Sequence, residues 1–482
     1  MRKLSDKHAG IYFGVKKGCM NSFLRLCGVN RDVIKPQNED GHVAIFGGSG
    51  SGKSACNVIP TITQTWTDPF VAIDIKGELF REYERKPDKR KTKVFSLRTE
   101  AGCSYDPFDF IHKNGKENFV ANIQELVNAL LPLPINIPDQ FWIESARIFL
   151  TAGMLYYFKM GMGFIDSIIN IMTTPPNAMI EEIIDDGDIE AEIFLNNFVV
   201  KYVDPDAGEI KCKTISDSKM LLGIGQEITN RLSIFATDPR IRKALVPSEN
   251  QLRWEDLDIC NIFISVPEDR LEQYSGVLIM LLTQLIRTLE RRPEKHSPKG
   301  EQMQPVLLML DEFPRLGRVE VITSAVSTLR SKKVTICLVM QSLAQLDAIY
   351  GEKIRRIILD NCSYIAIFSV IDAETQRYFS ELIGTIPVER KINGTNYDVK
   401  KKETGYSEQT SEVHEPVIRP HEFATMKDVA LLTPEGFQRV KKVPYYEKPI
   451  QQRIKGFFGK LWSSVIKTVD KVASRFVKTP VW

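Results

Sequence analysis

The chain has 482 residues, 43% hydrophobic and 26% charged, with a formal net charge of +3, the composition of an ordinary soluble globular protein of two to four domains. No run of about 18 or more apolar residues occurs, so nothing reads as a membrane-spanning helix, and no secretory leader is visible. Eight cysteines scattered from Cys19 to Cys362 without a C-x-x-C pair fit a reducing cytosol and argue against a zinc site or a disulfide scaffold.

Residues 1–40 form a short basic segment carrying +4, and residues 451–482 carry +6, which leaves −7 on residues 41–450. Basic ends suit an anionic surface, membrane or nucleic acid, or are simply solvated. His42–Phe46 is expected to be a short buried strand. Gly47-Gly48-Ser49-Gly50-Ser51-Gly52-Lys53-Ser54 then fills the phosphate-loop pattern G-x-x-x-x-G-K-[ST]. Its glycines let backbone N–H groups curl around a polyphosphate, Lys53 reaches the terminal phosphates, and Ser54 is suited to ligate Mg²⁺. A helix from Ala55 onward presents its N-terminus to the anion. The nucleotide contacts are therefore assigned to Gly47 through Ala55.

Apolar runs at Phe70–Asp74, Lys93–Ser96, Asn261–Val266, Val306–Leu310, Thr335–Met340 and Tyr364–Ser369 read as buried parallel strands of an α/β domain. That domain is split into residues 41–111 and 241–445. Between its parts, residues 112–240 carry helical periodicity over Val120–Leu131, Phe141–Leu150, Phe164–Met172 and Asn177–Ile184, and read as an inserted all-helical domain. Tyr274–Leu289 reads as a buried amphipathic helix. Residues 385–418 are polar, a loop or protruding hairpin, with Asn393-Gly394 as a turn signal. From Arg453 on, apolar Ile454, Phe458, Leu461, Trp462 and Val465 oppose Lys460, Ser464 and Lys467. That is a basic amphipathic helix for a membrane surface, a partner or self-packing face, or DNA.

The strand Val306–Leu310 ends in Asp311-Glu312, at the strand edge where α/β sheets bind ligands. Asp311 is placed in the Mg²⁺ shell beside Ser54. Glu312, one residue on, can orient the attacking water or take its proton. The following strand ends at Gln341, either a polar cap or an amide that senses the γ-phosphate. Arg330, after the helical stretch Thr323–Leu329, is by itself an ordinary surface charge. The pair of carboxylates points to ATP hydrolysis by a RecA-like core.

Several further boxes, in order, resemble the type IV coupling proteins, the TraG/TraD-type ATPases of conjugation and type IV secretion. They are Ile59-Pro60, Asp74-Ile75-Lys76-Gly77-Glu78, Tyr105-Asp106-Pro107-Phe108-Asp109, Phe141-Trp142 with Ala146, Leu310-Asp311-Glu312-Phe313 with Leu316-Gly317, Gln341–Leu346 with Tyr350-Gly351, Asn361, and Ile418-Arg419-Pro420. The resemblance spans roughly residues 41–445. It implies a P-loop ATPase of the DNA-translocase type, using ATP and Mg²⁺, a homohexamer when active, that delivers relaxase-bound single-stranded DNA or protein to a secretion channel. It also implies contact with the channel's ATPases, makes Gln341 a γ-phosphate sensor, and makes Arg330 the arginine that reaches a neighbouring subunit's ATP. Members typically begin with membrane-spanning helices. Their absence here leads to the expectation of a separate membrane anchor protein or peripheral attachment at the cytoplasmic face of the cell membrane. A non-motor nucleotide-gated docking platform and a chromosomal DNA pump of the same superfamily stay open as alternatives. Without the family, Asp74 would orient the loop or metal water, and Lys76 and Glu78 would pair across a turn.

Overall fold

A computed structural model describes residues 9–16, 32–87, 89–99, 101–134, 140–203, 210–214, 218–397 and 403–447. The basic amphipathic helix expected from Arg453 lies outside these residues. The described strands, in chain order, are β1 (Gly10–Lys16), β2 (Asp32–Pro36), β3 (His42–Phe46), β4 (Phe70–Asp74), β5 (Thr92–Ser96), β6 (Val199–Val203), β7 (Ile210–Thr214) and β8 (Asn261–Ser265). They continue with β9 (Val306–Leu310), β10 (Val334–Met340), β11 (Cys362–Ile367), β12 (Thr385–Tyr397), β13 (Glu403–Pro416), β14 (Val429–Thr433) and β15 (Gly436–Lys441).

Eleven of them make one sheet in the order β2-β1-β15-β14-β11-β3-β10-β9-β4-β8-β5. The seven from β11 to β5 run parallel, and β14, β15, β1 and β2 extend the sheet antiparallel. The parallel strands are the apolar runs read from the sequence. Those from β11 to β8 are buried on both faces, as a parallel sheet covered by crossover helices must be, whereas β5, at the sheet edge, buries only Phe95 and is not the fully buried strand expected. Successive side chains therefore enter different cores. Ala44, Phe46, Leu308 and Leu338 join the core shared with the helical block, whereas Val43, Ile45, Leu307 and Val339 pack beneath the helix that follows the phosphate loop.

Between β5 and β8 the chain is mainly helical, with helices Pro107–Lys113, Phe119–Leu130, Phe141–Lys159, Phe164–Thr173, Pro176–Asp185, Ile189–Leu195, Ser218–Thr237 and Pro239–Ala244. The fourth boundary predicted from sequence is sharp because Pro176 opens its helix at the first position, where a missing N–H costs nothing. The block is not purely helical. β6 and β7 pair antiparallel within it, since Val199-Val200-Lys201-Tyr202-Val203 is a β-branched and aromatic run.

Residues 1–40 contain more than a basic segment, because β1 and β2 form one edge of the sheet. β1 also lies along the helical turns Ser54–Val58 and Thr61–Thr65. Asn57 Nδ2 donates to the Tyr12 carbonyl, Tyr12 N–H donates to Thr61 Oγ1 at 3.0 Å, and Thr65 Oγ1 donates to the Gly10 carbonyl at 2.7 Å. The polar stretch 385–418 is built around the β12–β13 hairpin. Asn393-Gly394 is not its turn: the two residues pair with Glu408 and Ser407 within the ladder. Among the described residues, no helix is long and apolar enough to cross a membrane.

Candidate functional site

β3, buried throughout and apolar after His42, delivers the Gly47–Ser54 loop at the C-terminal edge of the parallel strands. Gly50 and Gly52 sit at φ +73° and +95°, conformations that side chains resist. The loop is moored to the next strands: Gly47 N–H donates to the Met340 carbonyl at 3.2 Å and Gly48 N–H to the Ser369 carbonyl at 2.7 Å. Lys53 is buried and folds back on the loop, donating to the Gly47 carbonyl and to that of Gly48 at 3.2 Å. Phosphate oxygens would compete for this ammonium. Burial lowers the Lys53 pKa, against the pull of Glu312 and Asp311. Ser51 Oγ is buried without a partner, a polar atom facing the cradle that a phosphate fits.

After the loop, the helix winds with i→i+5 bonds: Ile59 N–H reaches the Ser54 carbonyl and Trp66 N–H that of Thr61. In that register the Ala55 carbonyl would take its bond from residue 60, and residue 60 is a proline without an N–H. The missing donor comes from the far end of the chain: Tyr445 N–H donates to the Ala55 carbonyl at 2.9 Å.

β10 lies between β3 and β9, so Gln341 arrives between the phosphate loop and the carboxylates of β9. Its Nε2 donates to Glu312 Oε2 at 3.1 Å. Lys76 approaches the other Glu312 oxygen at 3.9 Å. Glu312 adopts φ +52°, ψ +40°. For a non-glycine residue that backbone costs roughly 1–3 kcal/mol, and such strain persists where the surroundings fix a side chain's aim. Asp311 is buried beside it, accepting the Glu312 N–H at 3.1 Å. Burial, with the neighbouring Glu312 carboxylate, pushes the Asp311 pKa up to about 6. A Ser54 hydroxyl on the first turn and an Asp311 carboxylate at the strand end are hard oxygen donors of the kind Mg²⁺ takes.

The structure thus brings together Gly47–Ala55, Asp311, Glu312 and Gln341. It does not bring Arg330 there. That residue precedes β10, at the opposite edge of the sheet. The seven residues of β10 place it roughly 20 Å away at about 3.3 Å per residue. Its side chain is 60% exposed, 3.9 Å from Asp40. Asp74 is also not a loop or metal group: β10 and β9 separate β4 from β3, and Asp74 Oδ2 accepts Phe80 N–H at 2.9 Å, capping the helix Glu78–Glu84. Lys76 faces Glu312 rather than Glu78. The sequence also left Lys442 unmarked. Its ammonium donates to the Ser51 carbonyl at 3.2 Å and to that of Met426 at 3.4 Å, and lies 5.0 Å from the Phe368 ring centre.

A family model described as Type IV secretory system Conjugative DNA transfer matches residues 13–473. Protein VirD4 of Agrobacterium fabrum is 24% identical over 434 residues, 86% of this chain and 60% of VirD4. Conjugal transfer protein TraG of Escherichia coli is 24% identical over 409 residues, 80% of this chain and 61% of TraG. The chain therefore spans about three fifths of the length of these relatives. Plasmid coupling protein TrwB, solved in complex with ADP and Mg²⁺, matches with a TM-score of 0.64 at 16% identity, over 92% of this chain and 96% of that one. The shared fold is an α/β RecA-like core with a large, mainly parallel sheet.

Proposed function

This chain belongs to the type IV secretory system conjugative DNA transfer family, and from that membership we propose that it is an ATP-hydrolysing coupling protein. In this reading it receives relaxase-bound single-stranded DNA, or a protein substrate, and passes it to a type IV secretion channel. Residues 112–240 are the inserted helical domain. The active form is a homohexamer that works at the cytoplasmic face of the membrane, in contact with the channel's ATPases.

The chemistry follows from the residues at the strand edge. ATP lies with its phosphates on the N–H groups of Gly47–Ala55, and Lys53 leaves its two carbonyls to meet the β- and γ-phosphates. Ser54 and Asp311 would hold Mg²⁺, which would supply charge neutralisation at those phosphates. Glu312 orients the attacking water and accepts its proton. Gln341, whose amide donates to Glu312, stands where it can turn to the γ-phosphate. Arg330 serves the site of the next subunit, stabilising negative charge on the transferred phosphoryl group.

The observation that carries this reading is the Gln341–Glu312 hydrogen bond, set between the phosphate loop and β9. Its test is ATP turnover by the purified chain with and without single-stranded DNA. Turnover is expected, and Lys53→Ala and Glu312→Gln should each lower it by about 100-fold or more. Near-normal rates in both variants would overturn the site assignment. A wild-type chain that binds substrate DNA but never turns over ATP would be a docking platform instead.

A further inference from the structure

The segment leaving β15 is fastened to the phosphate loop at two points. Lys442 grips the Ser51 carbonyl, and its ammonium also lies over Phe368. Phe368 in turn backs the loop: a Cβ on Gly47 would come within 2.7 Å of the Phe368 Cβ. Three residues later, Tyr445 N–H fills the Ala55 carbonyl that Pro60 leaves without a donor. Lys442 and Tyr445 therefore bracket Ser51–Ala55, the turn whose N–H groups face the phosphates.

We propose that residues 442–445 are a clasp that sets the phosphate loop for nucleotide, with Lys442 as a positioning residue for the nucleoside di- or triphosphate. The inference rests on the nucleotide-binding reading of the loop. Lys442 acts through the peptide between Ser51 and Gly52. A cation on its carbonyl polarises the peptide and makes the Gly52 N–H a stronger donor to phosphate. The Tyr445 bond fixes the first turn of the helix, so the loop does not have to be ordered when nucleotide binds. The clasp bears on Ser51 and Ala55 and touches neither Glu312 nor Gln341, so it should strengthen ADP and ATP alike and leave the hydrolytic step alone.

Equilibrium binding of ADP and ATP to the full chain, with steady-state turnover, tests this. Lys442→Met should weaken both nucleotides about ten-fold, the scale of a lost charged hydrogen bond, raising KM with kcat within about two-fold. Lys442→Arg should recover most of the affinity. Tyr445→Pro, which removes the N–H, should weaken binding several-fold more than Tyr445→Ala, which keeps it. Circular dichroism checks that each variant is folded. If the wild type binds nucleotide and Lys442→Met binds it equally well, or loses kcat rather than KM, the clasp is excluded while the ATPase reading stands. If the wild type binds no nucleotide, both fall.

Discussion

At the scale of single residues, the site depends on side chains whose surroundings oppose their ordinary charge. His42, the first residue of the phosphate-loop strand, shows the cost most simply. It is fully buried, accepts the Ile336 N–H at Nδ1 (3.0 Å) and donates from Nε2 to the Val326 carbonyl (2.9 Å). Burial lowers its pKa to about 4, and the cations Lys35 and Arg330 add to the fall. A depressed imidazole pKa means that the unfolded chain takes up the proton first as the pH drops. The stability it contributes is complete above pH 6.5 and is lost as the pH falls toward 4, at about 1.4 kcal/mol per unit. Urea unfolding of the wild type and His42→Gln between pH 7.5 and 4.5 should show the difference between them shrinking through that window; a constant difference would show that His42 titrates alike in the folded and unfolded chain. Asp311, Glu312 and Gln341 were legible because an apolar strand that ends in a charged or amide residue names its own functional edge. Lys442 was not. It lies 391 residues from Ser51, and the signal that could have found it is indirect: Pro60, one turn into a helix, leaves a carbonyl that something must satisfy.

At the scale of elements, β1 holds the phosphate-loop helix from its outer side, through three side chains of that helix. Thr65→Val keeps the shape and removes the donor to the Gly10 carbonyl. It should lower stability by about 1–2 kcal/mol, read as a reduced urea midpoint with an unchanged slope; no change would mean that water replaces the bond. Six of the seven parallel strands were readable because a strand buried on both faces is a mainly apolar run; β5, Thr92-Lys93-Val94-Phe95-Ser96, is an edge strand that buries only Phe95. The four antiparallel strands were not. Gly10 and Gly14 interrupt β1. β2 places Lys35 in a fully buried position, with its ammonium donating to the Glu39 carbonyl and reaching Thr335 Oγ1 at 3.4 Å. A buried lysine that finds its acceptors through tertiary structure looks in sequence like a surface residue. The hairpin shows the same limit, since Asn-Gly has turn propensity but pairing along the ladder overrides it.

At the scale of the whole molecule, the separation of Arg330 from the loop of its own chain is the informative geometry. A residue at the opposite end of the strands does not reach the loop of its own chain; in the proposed head-to-tail ring it would serve the next subunit's loop. Arg330→Ala alone and Lys53→Ala alone should both be inactive. Mixed under oligomerising conditions, they should recover partial ATP turnover, because a Lys53→Ala subunit still offers Arg330 to an intact neighbouring loop. A flat mixing curve would mean that Arg330 acts only within its subunit, through Asp40.

The position of β10 also dictates when the protein can be completed. β3 pairs with β10 on one side and β11 on the other, so the strand bearing the phosphate loop has no neighbour until roughly 290 further residues have been made. At ribosomal speeds that is a wait of roughly 15–60 s. Through it, His42-Val43-Ala44-Ile45-Phe46 is an unpaired apolar segment open to aggregation and to chaperones. Among the elements of the core, the nucleotide loop begins early in synthesis and is finished late, so a nascent chain that can bind nucleotide is one whose sheet has closed.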